Sequence, residues 1–131
     1  MAPLNKKQIL KLISEARKVS QRAYAPFSKY KVGAALLDSA GKIFVGCNVE
    51  NSSYGATLCA ERGAIARAIA EGAKKILAMA IVSEGKTPPY PCGICRQMIS
   101  EFSHDLEIMI VHKKKMTLMR LSDLYPNPFS V

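Results

Sequence analysis

Ile76-Leu77-Ala78-Met79-Ala80-Ile81-Val82 is the stretch that decides the fold, because it offers no polar residue to mark a solvent face. An unbroken apolar run of this length is the form of a strand buried on both faces, so it is expected to be central in a sheet. On its N-terminal side, residues 58–71 carry Ile65, Ala68 and Ile69 at helical spacing and stop at Gly72, a good helix terminator. On its C-terminal side, residues 84–91 hold three prolines and a glycine and predict a loop. Residues 93–102 then predict a second helix. A buried strand set between two helices is the core of an α/β arrangement.

Further out, Leu4, Ile9, Leu10, Leu12, Ile13, Ala16 and Val19 recur at helical spacing, which predicts an amphipathic helix over residues 5–22 with Asn5 as its cap. Tyr24-Ala25-Pro26-Phe27-Ser28 ends it, since proline disfavours a helical residue before it. Residues 31–37 and 42–47, joined by Asp38-Ser39-Ala40-Gly41, read as a β-hairpin. Residues 48–57 form a polar loop, residues 106–111 a second buried-type strand, Lys113 to Lys115 a turn, residues 116–119 a shorter strand, and residues 121–124 a last helical turn. The sum is an α/β fold: a three-layer α/β/α sandwich with a mixed five-stranded sheet, forming a single domain over residues 1–131, with right-handed crossovers joining its parallel strands. Functional residues in such a fold belong at strand ends and helix starts.

A chain of 131 residues can bury about two-thirds of its unfolded surface, enough for a core without disulfides. A hydrophobic fraction of 49% with 22% charged residues is ordinary for a soluble globular protein. No apolar run approaches the roughly 20 residues that span a bilayer, so no membrane segment is expected. The opening residues, Met1-Ala2-Pro3-Leu4-Asn5-Lys6-Lys7, lack the pattern of a secretory signal, which points to a cytoplasmic protein and to cysteines kept reduced. The formal charge of +9 would suit a polyanion if it were clustered. Instead Lys6, Lys7, Lys11, Arg17, Lys18 and Arg22 follow one helix, while Lys74, Lys75 and Lys113 to Lys115 sit at turns. No ladder of base-stacking aromatics accompanies them, so solvated faces are favoured over a nucleic-acid surface.

Cys59-Ala60-Glu61-Arg62 opens the first of the two flanking helices, and Pro91-Cys92-Gly93-Ile94-Cys95 opens the second. Thiols bind metal as thiolates, and a helix N-terminus stabilises an anion through its unpaired N–H groups and dipole. Cys92 and Cys95 have chelating spacing; together with Cys59, expected in a first helical turn, they can hold one zinc ion and leave a position open. Glu61 follows Cys59 too closely for both to bind one ion readily, but it is placed to exchange protons with water held there. Arg62, one turn from Cys59, is expected to offset the charge of three thiolates by hydrogen bonding to sulfur. The same residues alone also allow a closed structural zinc site with no catalysis. Cys47 reads as a buried thiol, and His104 and His112 as surface histidines.

Five motifs in order make almost the whole chain similar to the small, homotetrameric, zinc-dependent type of cytidine deaminase. They are Ala23-Tyr24-Ala25-Pro26-Phe27-Ser28-Lys29-Tyr30, Val32-Gly33-Ala34-Ala35-Leu36, Gly46-Cys47-Asn48-Val49-Glu50-Asn51, Cys59-Ala60-Glu61-Arg62, and Pro91-Cys92-Gly93-Ile94-Cys95-Arg96-Gln97. The resemblance implies one zinc ion per subunit and hydrolysis of cytidine and deoxycytidine to the uridines and ammonia, in pyrimidine salvage. Glu61 would take a proton from the zinc-held water, deliver it to ring N3 as hydroxide adds at C4, and later protonate the departing ammonia. Asn48 and Glu50 would bind the ribose through its 3′-hydroxyl, and Tyr30 and Ala60 would line the pyrimidine site. Phe129 and Tyr54 would reach neighbouring subunits of a tetramer. In the resembling enzymes phenylalanine is usual where Tyr30 stands, a threonine is common where Gly63 stands, and the last motif is commonly Leu-Pro-Gly-Ala-Phe rather than Tyr125-Pro126-Asn127-Pro128-Phe129. Two competing readings are deamination of a base within a polynucleotide and a zinc-stabilised module without catalysis, in which Glu61 and the Asn48 to Glu50 loop would have no role.

Overall fold

The apolar run forms β3, Ile76–Ser83, and it lies in the middle of the sheet as expected. The structure, a computed structural model, describes residues 4–131, so the reading of Met1 to Pro3 as free of a secretory signal lies outside the described residues. The other strands are β1, Gly33–Asp38, β2, Ile43–Cys47, β4, Glu107–His112, and β5, Lys115–Arg120. Helices α1, Lys6–Ser20, α2, Ala60–Ala70, α3, Gly93–Phe102, and α4, Leu121–Leu124, alternate with them. The sheet order is β2-β1-β3-β4-β5; β3 and β4 run parallel and every other neighbouring pair is antiparallel. Among the described residues no helix is long and apolar enough to cross a membrane.

Alternation along the strands divides the core between the two faces of the sheet. Ala35, Leu37, Ala78, Ala80 and Val82 meet Leu12 and Ala16 of α1 on one face. Ala34, Leu36, Met79 and Ile81 meet Ala60, Ala64, Ile65 and Ala68 of α2 with Ile99 of α3 on the other. Helices on both faces complete the three layers. Two glycines let helices approach closely: a Cβ at Gly33 would stand 2.7 Å from Ser20 N of α1, and one at Gly46 would stand 2.6 Å from Ala60 O of α2.

Local chemistry explains most boundaries. Asn5 caps α1 as expected: its Oδ1 accepts from Gln8 N at 2.8 Å, and Gln8 Oε1 accepts from Asn5 N at 3.0 Å, a reciprocal capping box. In the hairpin turn the Asp38 carboxylate accepts from Ala40 N at 3.0 Å and Lys42 N at 2.8 Å, with Gly41 at φ 84. β1 starts two residues later than the sequence suggests because the Asn48 side chain takes the Val32 N–H, at 2.8 Å, away from any ladder. β5 is longer than the expected 116–119, since the turn narrows to Lys113 and Lys114 and Lys115 already pairs with His112. A turn of 3-10 helix at Tyr54–Ala56 lies in the segment expected to be loop.

Candidate active site

Cys59 is the N-cap of α2 rather than a residue of its first turn, and Cys92 is the N-cap of α3. Their carbonyls already accept the first helical bonds, from Gly63 N at 3.1 Å and Arg96 N at 2.9 Å. Neither thiol is spent on capping its own helix, so both remain available to a ligand. Cys95, one turn into α3, is fully buried.

The three sulfurs lie within 4.8 Å of one another, and Cys59 Sγ stands 3.8 Å from Cys92 Sγ. Two thiolates at about 2.3 Å from a tetrahedral zinc ion are about 3.8 Å apart, so this spacing fits the ion. The electrostatics agree. The Cys59 thiol is lowered to about 5, first by a hydrogen bond from Cys95 and then, against burial, by Arg62 and Cys92. Cys95 is raised in turn, chiefly by its bond to Cys59, so the pair shares a proton that a cation would displace. Arg62 Nη2 donates to Thr57 O at 3.1 Å and lies 3.6 Å from Cys59 Sγ, as expected for a group that offsets thiolate charge. Its Nε is buried with no hydrogen-bond partner among the described residues.

Beside the sulfurs lies a cavity of about 330 Å³ into which Glu61 opens although the residue is only 5% exposed. Burial raises its carboxyl to about 7, with a further push from the nearby Cys59 charge. Tyr30, Asn48, Glu50, Cys59, Ala60 and Cys92 line the same cavity, so the structure gathers most residues singled out from the sequence. Glu50 is a fixed acceptor: its carboxylate takes hydrogen bonds from Phe27 N at 2.9 Å, Ser28 N at 3.1 Å and the Ser28 hydroxyl. The Ser28 hydroxyl, then its backbone N–H and that of Phe27, hold the carboxyl below its ordinary value. The Asn48 amide spans two backbone groups, donating to Tyr30 O at 2.8 Å while accepting from Val32 N. It therefore shapes the loop that carries Tyr30 as well as facing the cavity.

Tyr54 and Phe129 are not in this cavity. Tyr54 is 77% exposed and meets Phe27 edge-on, with ring centroids 6.1 Å apart. Phe129 is 71% exposed and lines a separate hollow with Ser100 and His104 beyond α3. Sequence reasoning missed Ser28, the holder of Glu50, and the wall formed by Thr87, Pro88, Pro89 and Tyr90. The prolines announced a loop, but nothing in the segment says what it borders. Two further expectations are corrected. Cys47 is half-buried rather than buried, although burial still raises its thiol. His112 is half-buried with Nε2 bonded to Gly85 O at 2.7 Å, because β4 ends beside that loop, whereas His104 is exposed as expected.

Comparison with known proteins agrees with this geometry. Residues 6–112 match the sequence profile described as the cytidine and deoxycytidylate deaminase zinc-binding region. A cytidine deaminase of Sporosarcina psychrophila is 50% identical over 92 residues, covering 70% of this chain and 68% of that protein. A cytidine deaminase of Mycobacterium tuberculosis is 39% identical over 120 residues, covering 92% of this chain and 88% of its own length. The crystal structure of a cytidine deaminase from Burkholderia pseudomallei superposes with a TM-score of 0.87 at 40% identity, covering 96% of this chain and all of that one.

Proposed function

The chain belongs to the cytidine and deoxycytidylate deaminase family, and on that premise we propose that it hydrolyses cytidine and deoxycytidine to uridine and deoxyuridine with release of ammonia. The observation that carries this reading is a single cavity lined by Cys59 and Cys92 of a three-sulfur cluster, the buried carboxyl of Glu61 and the carboxylate of Glu50. A purely structural zinc site would need neither carboxyl.

Cys59, Cys92 and Cys95 would hold the zinc, which when bound supplies Lewis acidity that activates water near neutral pH. The chain's own residues do the rest. Glu61 takes a proton from water as oxygen adds to C4 and delivers it to ring N3, then takes the proton of the new C4 hydroxyl and passes it to the amine as the C4 carbonyl forms and the C4–N bond breaks, so that ammonia leaves. A carboxyl raised to about 7 by burial suits a group that must both accept and donate near neutrality. Arg62 lies against the sulfur of Cys59 and tempers the negative charge that three thiolates would otherwise place beside the reaction.

Glu50, pre-set by Ser28, accepts a hydrogen bond from the ribose 3′-hydroxyl, with Asn48 beside it. A site built to hydrogen-bond a substrate hydroxyl discriminates strongly against a substrate lacking it. Tyr30 and Ala60 border the pyrimidine. Phe129 and Tyr54, exposed and outside their own cavity, serve neighbouring sites in a homotetramer. The single sheet with core on both faces supports one domain over residues 1–131, and the enzyme works in cytoplasmic pyrimidine salvage.

Incubating the purified protein with cytidine, deoxycytidine and a cytosine-containing oligonucleotide, with ammonia release and zinc content followed together, tests the reading. Turnover of both nucleosides with one zinc per chain is expected. Ammonia from the oligonucleotide alone would overturn it.

A further inference from the structure

We propose that Tyr30, through its hydroxyl, and His112 are positioning residues that pin residues 84–91, so that Thr87 to Tyr90 stand as a fixed wall of the substrate cavity. The inference rests on the deaminase reading of that cavity and concerns what holds its far side. Residues 87–90 contain two prolines, which have no N–H to donate, and their one internal backbone bond is Tyr90 N to Pro88 O at 3.0 Å. Among the described residues, a single side-chain hydrogen bond reaches this wall: Tyr30 Oη donates to Thr87 O at 2.7 Å. Phenylalanine would keep the ring and lose that bond.

The loop's first half is fastened to other elements. His112 Nε2 meets Gly85 O at 2.7 Å, and since a carbonyl only accepts, Nε2 must carry the proton. Gly85 N donates to Ser83 Oγ at 3.1 Å, and Ser83 Oγ donates to Lys31 O at 2.8 Å. The Arg17 guanidinium ties Glu84 to Lys113 O at the end of β4. Gly85 is also where the Tyr30 ring comes to rest, for a Cβ there would stand 2.5 Å from Tyr30 Cε1. The ring thus lies between the loop backbone and the cavity it lines, and its hydroxyl closes the next turn of the loop.

Cys59 and Glu61 belong to α2, which this loop does not support, and Pro91 before Cys92 is held separately by Arg96 Nε at 2.8 Å. Loosening the wall should therefore weaken substrate binding and spare the chemical step. Loss of one neutral hydrogen bond corresponds to a rise in KM of about three- to tenfold.

The test compares zinc-loaded wild type with Tyr30→Phe, His112→Leu, His112→Gln and the Tyr30→Phe/His112→Leu pair. Cytidine kinetics, zinc content and amide exchange over residues 84–92 are measured on each. Tyr30→Phe and His112→Leu should raise KM by that factor, hold kcat within about twofold and speed exchange at residues 85 and 90, the loop amides that donate hydrogen bonds. His112→Gln, which can still donate, should restore wild-type behaviour, and the double variant should fall short of the product of the singles because both pin one loop. Wild-type KM and exchange in Tyr30→Phe would overturn the proposal, as would a collapse of kcat at constant KM. If the wild type does not turn over cytidine, the deaminase reading fails instead, and amide exchange still decides whether the loop is pinned.

Discussion

Replacing Gly46 with alanine should damage the site from the opposite side of α2. Gly46 pairs with Ala34 inside the sheet, and its Cα faces the first turn of α2 so closely that a Cβ would stand 2.6 Å from Ala60 O and 2.9 Å from the Gly63 carbonyl carbon. Ordinary carbon contacts need about 3.5–4.0 Å, so the two elements must part by about 1 Å. The strand is held by β1, so the helix must move, and it carries Cys59 and Glu61. A displacement of that size costs about a hundredfold in rate, and overpacking of this kind costs about 1–3 kcal/mol of stability. The assay is kcat/KM for cytidine per folded, zinc-containing molecule, with urea unfolding alongside. Gly33→Ala is the control: its Cβ would stand 2.7 Å from Ser20 N of α1, on the other face, so stability should fall while activity per folded molecule holds. Gly46→Ala with kcat/KM within about threefold of wild type would refute the reasoning.

Glu61→Gln should abolish turnover with zinc retained, and in zinc-free protein it should stabilise the fold in a pH-dependent way. Because the folded state raises this carboxyl from 4.5 to about 7, its contribution is fully present below 4.5 and is lost as pH rises through about 7, a loss of about 3 kcal/mol. Urea unfolding should therefore show Glu61→Gln gaining on wild type at pH 8 and not at pH 4; a gap independent of pH would contradict it. Glu50→Ala should raise the KM for cytidine about tenfold or more through loss of a charge-assisted hydrogen bond to the substrate, with zinc content unaffected. Lys113 sits at φ 56 in the two-residue β4–β5 turn, so Lys113→Gly should stabilise by about 1 kcal/mol in the same unfolding assay.

What the sequence disclosed was whatever local pattern decides. β3 was legible because a strand covered on both faces has no polar residue to confuse its period, and the cysteine turns were legible because ligand spacing survives folding unchanged. The less visible features depend on residues far apart in the chain. Ser28 fixes Glu50 from 22 positions away, and Tyr30 reaches Thr87 across 57. Asn48 belongs to this second kind. Its type and position suggested a sugar contact, yet its amide also captures Val32 N and so sets where β1 begins. His112 looked like a surface residue because only the tertiary fold brings the end of β4 beside Gly85.

The parallel pairing of β3 with β4 explains why the cysteines meet at all. α2 ends where β3 begins, and α3 ends where β4 begins; with those strands parallel, both helices run the same way and both N-termini open at one edge of the sheet. Were β4 antiparallel to β3, α3 could no longer run beside α2 from that edge. Its 10 residues span about 15 Å, so Cys92 could then stand about that far from Cys59 rather than within 4 Å of it. The same topology brings two positive dipole ends to a cluster that collects up to three negative charges, and Arg62 adds a third source of positive potential from the first turn of α2. The antiparallel strands on either side have no such duty. β2, one of them, runs into the Glu50 loop, while β4 itself ends at His112, which places Glu50 and His112 at the same edge as the three cysteines.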